Sequence, residues 1–141
     1  MRTLLILLAG FAFGCSTHVG IATTHREDVS AQSRVMAIAA RNLDDTARGR
    51  ARADTAQVVA KFHNESEEFA RASARWVSDD NVNTRYERFI DTWVKVKQIA
   101  PALQADSVLN DSFRRVQYEW EKLARVTGYA GKKYEEKMEA K

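Results

Sequence analysis

TAQVVAKFHNESEEFARASARW, residues 55–76, brings apolar or small side chains round at Thr55, Val58 and Val59, Phe62, Ser66, Phe69, Ser73 and Trp76. Steps of three and four return to one face of an α-helix, whereas a half-buried strand would alternate every second residue. Upstream the same rhythm continues more thinly through Val35, Ile38, Ala39, Leu43, Ala47 and Ala51. Gly49 lies between the two halves and costs a helix about 1 kcal/mol relative to Ala. With no proline or polar turn cluster between them, the spacing predicts one long helix from about His25 to Val77. A break near Gly49 is the alternative. Thr24 and Glu27 have capping-box spacing at its start.

Downstream, Ser78-Asp79-Asp80-Asn81-Val82-Asn83 has the composition of a turn. Thr84 and Glu87 form a second capping-box pair. Tyr86, Phe89, Ile90, Trp93, Val96, Ala100 and Leu103 then share a second helical face, with Pro101 near its end. Asp106 or Ser107 is placed to cap a third helix. Its face carries Leu109, Phe113, Val116, Trp120, Leu123 and Thr127, and Gly128 stops it. Three apolar stripes joined by short turns predict an all-α, antiparallel helical bundle of three long helices, or four if helix one breaks. The first half of helix one then either projects as a stalk or folds back.

The 22 Lys and Arg against 19 Asp and Glu leave a net charge of +3, with the signs interspersed. That balance gives no basic or acidic tail of the kind that meets nucleic acid. Catalysis has little foundation either. There is no Ser-His-Asp order, no glycine-rich phosphate loop and only one cysteine, so the chain is expected to bind and not to catalyse. No cofactor or metal is expected. His63 and Glu67 share a helix face but are too few to make a zinc site, which usually takes three or four protein ligands. Covalent c-type haem is excluded by the lack of Cys-x-x-Cys-His. A non-covalent haem would call on Met36 and His63.

Arg34, Arg41, Arg48 and Arg52, spaced seven, seven and four, fall near one helix face. Such a row can chelate phosphate or carboxylate groups, which makes it the candidate partner-binding surface. Asp44, Asp45 and Asp54 interrupt it and offer local pairs instead. Trp76, Trp93 and Trp120 each lie on an apolar stripe and are read as core.

The N-terminal end supplies an address. Arg2 precedes an apolar run from Leu4 to Phe13, which is followed by Gly14 and Cys15. The run is too short for a spanning helix, which needs about 20 residues, and has the parts of an export signal. Ala12-Phe13-Gly14-Cys15 resembles the lipobox of bacterial lipoproteins. The resemblance implies that Cys15 carries acyl chains such as palmitate and becomes the mature N-terminus. Ser16, rather than Asp, implies sorting to the outer membrane, facing the periplasm. The chain also ends in Lys141, as does the major outer-membrane lipoprotein of enteric bacteria, whose terminal lysine is joined to peptidoglycan. That likeness implies wall attachment through Lys141.

The organisation expected is therefore a signal at 1–14, a tether at 15–24, a bundle at 25–131 and a charged tail at 132–141. The function expected is an anchored scaffold that binds an envelope partner or a second copy of itself, coiled-coil fashion. A small-ligand or haem carrier and a cell-wall tether are the alternatives.

Overall fold

A computed structural model of the chain describes residues 25–128 and Ala140. The described residues form five helices and no strand: α1 (Arg26–Arg50), α2 (Ala53–Arg75), α3 (Asp79–Gln98), α4 (Ala100–Gln104) and α5 (Ser107–Thr127). The long helices α1, α2, α3 and α5 pack as an antiparallel bundle, with the one-and-a-half-turn α4 bridging α3 to α5.

The expected continuous first helix is corrected. Ala51 and Arg52 are extended, with ψ of 159° and 155°, and they turn α1 back onto α2. The physical reason is burial. An unbroken helix would leave Met36 and Leu43 without cover. In the hairpin both are fully buried, and removing a Leu or Met side chain from water is worth roughly 1.5–3 kcal/mol. Small residues allow α1 and α2 to approach closely, and the hydroxyls of Ser33 and Ser73 meet across the interface at 2.7 Å. The stalk is therefore replaced by a helix packed on both α2 and α5.

The second helix also begins earlier than its composition suggests. Ser78 caps α3 by accepting the Asn81 amide at 3.2 Å, so Thr84 and Glu87 lie inside the helix rather than at its start. Aspartates in a first turn are stabilised by the helix dipole, and Asp79 and Asp80 occupy that turn. Pro101 opens α4, where its missing N–H leaves no bond unmade. Asp106 caps α5 by accepting the amides of Val108 and Leu109, each at 3.0 Å. Gly128 closes α5 at φ +84°, a conformation that a side chain would strain.

The core is aromatic. Phe89 stacks on Phe62 and Phe69 and leans on Trp120, with ring centroids 5.5–5.7 Å apart, and Trp93 meets Phe113 and Trp120. Trp93 and Trp120 lie inside the core, and Trp76 is half-buried and packs against its edge. It caps α2 at φ +38°, a left-handed conformation that is unusual for a non-glycine residue. Its indole Nε1 donates to Asp79 Oδ1 at 2.7 Å, and the Arg26 guanidinium lies 5.0 Å from its ring. These contacts hold the start of α1 against the α2–α3 turn.

Candidate functional site

Asp44 is the pivot of a charged array across α1 and α2. Its position, four residues after Ala40 and three before Ala47, puts it on the buried face, and it is 1 % exposed. Its carboxylate takes Arg48 at 2.6 Å and His63 Nδ1 at 2.9 Å. His63 Nε2 lies 3.0 Å from Glu67 Oε1, which also takes Arg41 at 2.5 Å. A carboxylate only accepts, so both His63 contacts are hydrogen bonds when both ring nitrogens carry protons. In the array Arg48–Asp44–His63–Glu67–Arg41 the imidazole thus lies between two carboxylates, each of which also meets an arginine.

This geometry assigns the arginine row. Arg41 and Arg48 are paired within the array, and each guanidinium is held more firmly protonated by the carboxylate it meets, Glu67 and Asp44 respectively. Arg52 reaches Asp54 at 3.6 Å in the turn. The Thr55 amide, and then Arg52, hold the Asp54 carboxyl below its usual range. Among the described residues Arg34 donates only to the Ser30 carbonyl. The four do not form one continuous surface. Arg34 and Arg41 instead flank a shallow groove of about 350 Å³ with Ala37, Ile38, Glu67, Ala70 and Arg71. Ile38 is 56 % exposed there.

The array also bears on cofactors. The carboxylates sit on opposite sides of the His63 ring, so both nitrogens are engaged and neither is open to a haem iron. Met36 is fully buried in the apolar cluster. Among the described residues no group of three His, Cys, Asp or Glu has the arrangement of a metal site, and no helix is long and apolar enough to cross a membrane. Cys15 and Lys141 lie outside the described residues.

A second buried carboxylate escaped the sequence reading. Glu119 is fully buried, accepts from Gln32 Nε2 at 2.8 Å and faces Arg115 at 2.7 Å. It stands three residues after Val116 and four before Leu123, so the spacing that found the α5 stripe already placed it on that face. Its partner Gln32 is 87 residues away in the chain, and only the packing of α1 on α5 brings them together.

Arg41 first, and His63 second, hold the Glu67 carboxyl below the ordinary carboxylate range. A lowered folded pKa adds stability above the unfolded value of about 4.3, and that stability is lost as pH falls through the folded value. Glu67→Gln therefore lowers stability at neutral pH and flattens its decline between about pH 5 and 3. Urea melts across that range check this. Two parallel curves at constant offset would show that the carboxylate charge is not responsible.

No protein-family model matches the chain, and no curated protein and no solved structure is similar to it at a significant level. The functional reading therefore rests on this chain's own residues.

Proposed function

We propose that the chain is a lipid-anchored lipoprotein of the bacterial outer membrane, held through Cys15 on the periplasmic face. It acts as a binding module for an envelope protein. Its docking face is the outer side of the α1–α2 hairpin. The anchor rests on the lipobox-like Ala12-Phe13-Gly14-Cys15.

The observation that carries the docking face is Ile38, an exposed branched side chain among the guanidiniums of Arg34, Arg41 and Arg71. An apolar side chain flanked by carboxylates complements that groove in shape and charge. Arginine at such a rim sets partner choice as well as affinity. Of the four arginines in the row, Arg34 and Arg41 belong to this face, whereas Arg48 and Arg52 serve the hairpin itself. The filled aromatic core favours binding at the surface over carriage of a ligand inside the bundle.

Crosslinking in intact cells tests the reading. The native protein gives a defined protein adduct in the membrane fraction. Ile38→Asp with Arg34→Glu weakens that association at least tenfold, because an apolar hot spot and its charged rim are worth well over 1 kcal/mol. The helical circular dichroism stays unchanged. Cys15→Ala prevents acylation and changes the intact mass of the product. An unaltered adduct in the groove variant removes the docking face, and an unacylated native Cys15 removes the anchor.

A further inference from the structure

We propose that a second groove, on the α2–α3 flank, seats the bundle on the headgroups of anionic phospholipids, with Val77 pressed into the interface; this rests on the lipid-anchored reading. Glu68, Arg71, Ala72, Arg75, Val77, Asn81 and Arg85 line this groove, which encloses about 410 Å³. Three guanidiniums thus face one carboxylate. Glu68 takes Arg71 at 2.5 Å and lies 3.8 Å from Arg85, so it bridges the two helices and holds both cations at the rim. Among the described residues Arg75 has no hydrogen-bond or ion-pair partner. A planar guanidinium with free donors matches a phosphate oxygen pair.

Position selects the occupant. The chain enters α1 at His25, and this end of the bundle is the one that carries the groove. Arg26 joins Asp79 at 3.1 Å, across the start of α1 and the start of α3. Arg50 joins Asp106 at 3.2 Å at the opposite end, beside α4. The ten residues from Cys15 to Thr24 reach at most about 36 Å when fully extended, so an acylated Cys15 keeps the His25 end close to the bilayer. Val77 is 82 % exposed at the tip of the α2–α3 turn, on that same end. An exposed apolar side chain beside an unpaired arginine, on a rim where three guanidiniums share one carboxylate, has the makeup of an interfacial contact.

The acids of this end set the orientation. Asp79 is taken by Arg26 and by the Trp76 indole. Glu27, Asp28 and Asp80 lie in the first turns of α1 and α3. They would be repelled by an anionic surface, so the bundle leans on its arginine flank rather than standing on its axis.

The test uses the acylated full chain in nanodiscs of phosphatidylcholine, alone or mixed with phosphatidylglycerol. A polarity-sensitive fluorophore is placed on Val77→Cys, or on Ala105→Cys at the far end; acylated Cys15 does not react. With phosphatidylglycerol present, the residue-77 probe moves to an apolar environment and is quenched by lipid-borne quencher at least threefold more than the residue-105 probe. Arg71→Gln with Arg75→Gln reduces the docked fraction by about tenfold, a few-fold per arginine. Lys61→Gln with Arg114→Gln removes the same charge elsewhere and leaves it unchanged. A chain that enters the discs while residue 77 stays in water overturns the docking alone. Equal burial in phosphatidylcholine alone overturns the role of anionic headgroups. A chain that never enters the discs overturns the anchor and the docking with it.

Discussion

Phe89→Ala lowers the unfolding free energy by about 3–5 kcal/mol, the range for truncating a fully buried phenylalanine. Phe89 is fully buried and touches rings from three long helices: Phe62 and Phe69 on α2, Tyr86 on its own helix, and Trp120 on α5. Its loss opens a cavity and also removes ring contacts, each worth about 0.5–1.5 kcal/mol beyond burial. Domains of this size have about 5–15 kcal/mol to lose, so the variant has a sharply lower urea midpoint. Phe89→Leu keeps most of the volume and loses less than half as much. A midpoint shift for Phe89→Ala no larger than that of a surface substitution would contradict the packing described here.

The second large effect falls on Asp44. Removing its carboxylate leaves His63 mostly buried without its Nδ1 partner and frees Arg48 from the fold. Hydrogen bonds to charged groups contribute about 1.5–3 kcal/mol each, and partial exposure of Arg48 limits its share. Asp44→Ala is therefore expected to lose about 2–4 kcal/mol. Asp44→Asn keeps an acceptor and loses less. Replacing Asp44 and His63 together by Leu recovers much of the loss, because no stranded polar group remains. Chemical denaturation of the singles and the double gives the coupling directly. A double mutant as unstable as the summed singles would mean that the two side chains act independently.

Much of the bundle was legible because burial leaves a period. The faces through Phe62 and Phe69, through Phe89 and Trp93, and through Leu109 and Trp120 were visible as spacing, and they are the faces that meet. The hairpin was not legible for a specific reason. Through Leu43, Ala47, Ala51 and Thr55 the steps stay at four, so the stripe keeps its phase across the break. A periodic pattern cannot distinguish a helix that continues from one that doubles back in phase. Ser78 was hidden differently: Asp79 and Asp80 look like a turn, yet they are also what the positive end of a helix stabilises. The arginine row was visible as a spacing, but its separation into Arg34 and Arg41 at a groove and Arg48 and Arg52 within the hairpin required the positions of Asp44, Glu67 and Asp54.

The chain's own letters determined that it is helical, which faces of α2, α3 and α5 turn inward, and that α5 begins at Asp106 or Ser107 and stops at Gly128, because these depend on neighbours within one or two turns. The stripe expected on α1 was partly wrong, since its Val35 and Ile38 are exposed. Tertiary structure alone decided that α1 folds back, that His63 lies between Asp44 and Glu67, and that Gln32 meets Glu119. Each of these depends on which stripes cover one another, and that choice is made by the total apolar surface removed from water, not by any local run of residues.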